Sequence, residues 1–172
     1  AAWPTGALPP TGRVLAVVDG VEVTCIDNGM PVVVMRASDL GRTGYETRDE
    51  LDKDTELKGR VEAIRLKVGP MMNLGDVTDQ TVPKMILVAP PRDGGVVSTR
   101  SFTPHRAHAT IGVFAPVSVA TPCLLPGSPA HTMARLPDGV TKQMLAEHPT
   151  GASPVSITTT EQNGNTVVTE AA

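Results

Sequence analysis

Apolar positions along this chain fall into short runs cut by Gly, Pro and Asp-Gly pairs, a pattern of strands and turns. Arg13–Val18 and Val21–Ile26 flank Asp19-Gly20, and that pair supplies the positive φ angles of a tight hairpin turn. Val32–Arg36, Lys84–Ala89 and Val96–Phe102 read as further strands, the last two separated by a turn from Pro90-Pro91 to Gly94-Gly95. Short strands are also predicted around Thr132–Arg135 and Gln143–Glu147, and a closing hairpin pairs Val155–Thr160 with Thr166–Glu170 across Asn163-Gly164. Between 43 and 68 the period changes. Thr43 and Glu46 have capping-box spacing, Thr47–Lys53 predicts a short helix, and Asp54 caps a longer one. Leu57, Val61, Ile64 and Val68 fall on one helical face, and Gly69-Pro70 is the expected stop.

The run from His105 to Gly127 stands apart. A polar entry, His105 to Thr110, leads through Gly112 into small apolar residues, and no charge occurs from Ala107 to Ala130. This reads as a helix buried on all sides. The free N–H groups at such a buried start need partners, and an anionic ligand is a natural one. Two loops carry polar groups suited to the same place: Asp27-Asn28-Gly29-Met30-Pro31 and His148-Pro149-Thr150-Gly151. Together they predict a site for a small molecule bearing carboxylates.

Composition narrows the class. The 172 residues suit one domain, 13–172, after a Pro/Gly-rich linker at 1–12. With one Trp, one Tyr and two Phe against 16 Gly and 16 Pro, the core must be aliphatic and turn-rich, an α+β domain rather than a helical bundle. A net charge of −3 without a basic run gives nucleic acid no footing. Pro116, Pro122 and Pro126 interrupt the best candidate for a membrane span. Cys25 and Cys123 have no metal or disulfide spacing and read as reduced packing residues, which with the lack of a signal sequence gives a cytoplasmic expectation. The opening Ala1-Ala2-Trp3-Pro4, without Met, is expected of a piece cut from a longer protein.

Three segments carry a family resemblance. Thr24–Val34 (TCIDNGMPVVV), Val82–Pro91 (VPKMILVAPP) and His148–Gly151 (HPTG) resemble, in order and spacing, the second half of the cofactor-free isomerases that include methylaconitate isomerase and 4-oxalomesaconate tautomerase, and the tautomerases most of all. The likeness runs over roughly residues 13–170. It implies a diaminopimelate-epimerase-like half: antiparallel strands wrapped around one buried central helix, with the active site in a cleft against a first half absent from this chain. It also implies movement of a double bond in a di- or tricarboxylic acid by proton transfer along an allylic system. The epimerases carry a cysteine acid/base at the start of this second central helix, and the matching residue here is Ala109, which transfers no proton. The catalytic acid/base groups are therefore expected in the missing half.

Each candidate residue has a plainer reading beside its functional one. Asn28-Gly29 is a turn before a strand, or an amide and backbone N–H groups that hold a carboxylate. Thr110, Ile111 and Gly112 are a capped helix start, or an anion cradle. His148, Thr150 and Gly151 form a surface turn, or a contact to a substrate oxygen through an imidazole that switches charge near neutrality. Lys84 is a surface lysine, an ion-pair partner or a carboxylate binder. The resemblance tips the first three toward substrate binding, and Lys84 is kept as a candidate beside them. His105 and His108 lack companion ligands, so neither metal nor cofactor is expected. The functional expectation is a 4-oxalomesaconate tautomerase-like isomerase, for which this chain supplies the carboxylate-binding half. Its alternatives are a methylaconitate cis-trans isomerase and a non-catalytic anion-binding module. An amino-acid epimerase or racemase is argued against by Ala109.

Overall fold

The computed structural model describes residues 15–27, 31–92, 94–102, 128–134, 141–149, 151–162 and 165–171. Eight strands lie in one sheet in chain order: β1 (Ala16–Val18), β2 (Val21–Asp27), β3 (Pro31–Arg36), β4 (Lys84–Ala89), β5 (Val97–Phe102), β6 (Thr141–His148), β7 (Gly151–Gln162) and β8 (Asn165–Ala171). The β1–β2 hairpin turns as its sequence predicts, with Asp19 at φ 51° and Gly20 at φ 77°. Five neighbouring pairs are antiparallel; β3–β4 and β5–β6 are parallel. The mostly antiparallel pairing expected from the sequence is thus found, with two parallel pairs that make the sheet mixed. A parallel neighbour needs a long crossover, and the connections 37–83 and 103–140 supply one each.

The first crossover carries a 3₁₀ turn (Ala37–Leu40), α1 (Arg48–Lys53) and α2 (Thr55–Met71). Leu57, Val61, Ile64 and Val68 of α2 are buried against Val23, Cys25, Val33, Met35, Met85, Leu87 and Phe102 on one sheet face. Each such side chain contributes about 1.5–3 kcal/mol when withdrawn from water. Burial pushes the Cys25 thiol up to about 12, so it stays protonated and packs as a small apolar group. Cys123 lies outside the described residues.

Three local expectations need correction. Thr43 and Glu46 bond to each other, the Thr43 N–H donating to the Glu46 carboxylate at 3.0 Å, but no helix begins there. The helix cap is Thr47, whose hydroxyl accepts from the Glu50 N–H at 3.2 Å. Gly69-Pro70 does not stop α2, which runs to Met71 and ends where Asn73 takes a left-handed φ of 62°. Gly69 instead lets Val77 approach, since a Cβ there would lie 2.7 Å from a Val77 methyl carbon.

The strand expected around Thr132–Arg135 is a short helix, α3 (Pro129–Met133), because Ser128 caps it through the His131 N–H at 3.2 Å and Pro129 presets its first turn. A separate helix thus takes over the end of the long uncharged run. The rest of that run, the predicted buried helix from 111 onward, lies outside the described residues, as do the linker 1–12 and the Asn163-Gly164 turn. The α3 helix packs on the sheet face opposite α2, against β2, β3 and β4. There Arg36 donates to Thr132 Oγ1 at 2.9 Å and pairs with Glu22 at 2.8 Å.

Candidate functional site

Strand direction decides which loops meet. Strands β2, β5 and β6 run in one direction, and β3, β4 and β7 run in the other. At the end of the sheet where β2 and β5 finish, Asp27 pairs with Pro31, Val32 sits beside Lys84, and Met85 sits beside Phe102, whereas β6 stops short of it: Glu147 pairs with Ser98 near the start of β5, and His148 pairs with Gly151. Two of the three segments singled out in the sequence thus meet the sheet at one end, from which the chain leaves β5 toward the helix-start motif, and the third, the turn after β6, lies nearer the other end of β4.

Of the predicted site residues, the structure describes Lys84, His148 and Gly151; Asn28, Gly29, Thr110, Ile111, Gly112 and Thr150 lie outside the described residues. Lys84 is half-buried at the head of β4. His148 is half-buried at the tail of β6, its ring edge 3.7 Å from where a Gly151 Cβ would stand. Gly151 is therefore open enough for ordinary contact with the imidazole, and its φ of 157° is near-extended. Two strand spacings and about four residues of offset separate Lys84 from His148, roughly 10 Å across the sheet and 13 Å along it.

Buried charges fix these strand ends, and sequence reasoning missed them because charge ordinarily marks surface. Glu147, 5% exposed, accepts from the Arg92 N–H at 2.8 Å and the Gly95 N–H at 2.7 Å. Its own carbonyl accepts from the Thr99 hydroxyl at 2.5 Å. These bonds tie β6 to β5 and to the turn before it, and so set where His148 stands. A Cβ on Gly95 would sit 2.7 Å from the Glu147 carboxylate, so only glycine admits that contact. Arg100 lies inside the β4–β5 ladder, donating to the Glu46 carbonyl at 2.6 Å and the Thr99 carbonyl at 2.7 Å, and desolvation draws its guanidinium below its usual range. Gly95 after a Pro-Pro turn was the one available signal for the Glu147 contact.

Among the described residues, no three His, Cys, Asp or Glu side chains gather where they could hold a metal ion, and no helix is long and apolar enough to cross a membrane. His105 and His108 lie outside the described residues.

Known proteins supply the comparison. The chain is 65% identical over 146 residues to the (4E)-oxalomesaconate Delta-isomerase of Novosphingobium sp., which covers 85% of this chain and 41% of that protein. It is 58% identical over 152 residues to the 4-oxalomesaconate tautomerase of Pseudomonas putida, covering 88% of this chain and 42% of that one. The chain thus spans about two fifths of the length of these curated relatives. A crystal structure of methylitaconate-delta-isomerase superposes with a TM-score of 0.79 at 19% identity, over 99% of this chain and 52% of its own, and so shares the fold. The model of the PrpF protein family matches residues 1–172 from end to end, and the chain belongs to that family.

Proposed function

We propose that this chain supplies the substrate-carboxylate-binding half of an isomerase that shifts a double bond in a di- or tricarboxylic acid, with 4-oxalomesaconate as the favoured substrate. The observation that carries the reading is the place of Lys84, at the end of the sheet where β2 and β5 finish and β3 begins. The names of the relatives at 65% and 58% identity favour the tautomerase reading over a methylaconitate isomerase.

The chemistry asks for cations and N–H donors. Taking a proton from the carbon next to an electron-withdrawing group leaves negative charge spread over an allylic system and its carboxylates. A lysine cation, an imidazole able to carry charge, and backbone N–H groups at a helix start all stabilise that charge, and more in the developing anion than in the substrate. In this reading Lys84 and the Asn28-Gly29 loop hold one carboxylate, the N–H groups of Thr110–Gly112 a second, and His148 or Thr150 a substrate oxygen. The proton itself moves through groups outside this chain, since Ala109 transfers none. No step calls for a metal or an organic cofactor.

The test is Thr110→Glu in the full-length protein, followed by the conjugated absorbance of 4-oxalomesaconate. Two like charges about 4 Å apart repel by roughly 4 kcal/mol at an effective dielectric of 20. KM is expected to rise at least about tenfold, which is 1.4 kcal/mol, with circular dichroism unchanged. A wild-type protein that binds the acid without turning it over would favour the non-catalytic anion-binding module. An unchanged KM in the variant ends the carboxylate-cradle reading.

A further inference from the structure

Lys84 enters its strand from a stretch without regular structure, 72–83, and one side chain of α2 bonds to three of its carbonyls. Arg65 of α2 is fully buried, with 0% of its side chain exposed. Its Nη1 donates to three main-chain carbonyls of the incoming segment: Val77 at 2.9 Å, Gln80 at 3.2 Å and Val82 at 2.8 Å. Its Nε and Nη2 meet the Glu62 carboxylate in a two-pronged pair, both at 2.7 Å. The last of the three carbonyls lies two residues before Lys84. Further ties run from the same helix: the Leu74 N–H donates to the Gly69 carbonyl at 3.0 Å, and buried Val77 fills the space that Gly69 leaves open.

A buried ion pair adds little net stability over a well-packed apolar substitute. It earns its place through geometry, because inward-facing carbonyls need donors and a planar guanidinium offers five in fixed directions. We propose that Arg65, held by Glu62, is a positioning residue for Lys84: it fixes the last turns of chain before β4, and with them the point at the sheet edge from which the lysine reaches a substrate carboxylate. This rests on the reading of Lys84 as a carboxylate binder. A lysine at position 65 keeps the charge but loses the fork, and so loosens the segment without removing Lys84.

A double-mutant cycle in the full-length protein tests it, with Lys84→Ala, Arg65→Lys and the pair measured for KM and kcat on 4-oxalomesaconate. Lys84→Ala is expected to raise KM at least about tenfold. Arg65→Lys should raise KM about fivefold with kcat within about twofold, and should add nothing once Lys84 is Ala. Glu62→Gln, a milder change, should raise KM two- to threefold, again only while Lys84 is present, and it carries the test if Arg65→Lys does not fold. Should Lys84→Ala leave KM unchanged, the carboxylate-binder reading falls and the positioning role with it. A KM effect of Lys84→Ala, together with Arg65→Lys and Glu62→Gln effects that are absent or fully additive to it, overturns the positioning role alone.

Discussion

At the scale of single residues, identity matters less than what the space around a side chain permits. Two glycines of α2 make the contrast. Gly59 is exposed with nothing within 4 Å of where its Cβ would stand, whereas a Cβ on Gly69 would meet both Val77 methyls at 2.7 and 2.8 Å and the Gly75 carbonyl at 3.1 Å. In an open helical position glycine loses about 0.5–1 kcal/mol to alanine through backbone entropy alone. Gly59→Ala should therefore stabilise the protein by that amount. Gly69→Ala should destabilise it by about 1–2 kcal/mol, the overpacking cost outweighing the helical gain. Urea midpoints of the two variants check both signs, and equal shifts would refute the packing role of Gly69. The sequence offered two identical letters in one helix, and the difference lies in a valine eight residues downstream of the second. His148 and Lys84 were legible as polar residues in motifs; Arg65 and Glu147 were not, because a burial that depends on partners 12 to 55 residues away leaves no local trace.

Elements were read well where a local rule decides them. The Asp-Gly hairpin, the apolar face of α2 and β4 all form where periodicity and turn chemistry put them. Structure departs from the local rule where packing competes with it: Gly69-Pro70 predicts a stop although α2 continues to Met71, and a β-like run at 132 loses to the Ser128-Pro129 cap. Parallel pairing left no mark because it is set by the crossovers.

The joint between α1 and α2 shows how an element boundary responds to pH. Asp54 accepts two bonds from the Arg42 guanidinium, at 2.6 and 3.0 Å, and one from the Leu57 N–H that begins α2, at 3.1 Å. The Arg42 bonds, helped by the Leu57 N–H, hold its carboxyl below the usual carboxylate range. A carboxyl whose pKa is lower folded than unfolded stabilises fully above about pH 4 and loses that stability as pH falls through the native value. Asp54→Asn keeps a competent cap and removes only the charge. It should cost about 0.5–1 kcal/mol at pH 7, a half-exposed pair, and the gap to wild type should close between pH 4 and pH 2. Denaturant midpoints across that range provide the check; a gap that persists at pH 2 would show that the cap, not the charge, carries the effect.

For the whole molecule, one mixed sheet brings the β2–β3 connection and the head of β4 to a single end and leaves the β6–β7 turn two strands away, nearer the other end of β4, an arrangement that could not be read from motif order alone. The acid/base groups expected for allylic proton transfer are not among these candidates, so the 172-residue chain by itself should not turn over 4-oxalomesaconate at the ~1–10³ per second of ordinary enzymes. An absorbance assay of the purified chain checks this, and turnover in that range would mean that a complete catalytic set lies within it. The sheet has another consequence through its order. Strands β1 to β8 neighbour one another in the sequence in which a ribosome makes them. Every strand after the first therefore finds its partner already synthesised, and the sheet can extend one strand at a time during the roughly 10–30 s of translation. Throughout that interval the growing edge is an unpaired ladder open to other nascent chains, most of all during the long crossovers that delay β4 and β6.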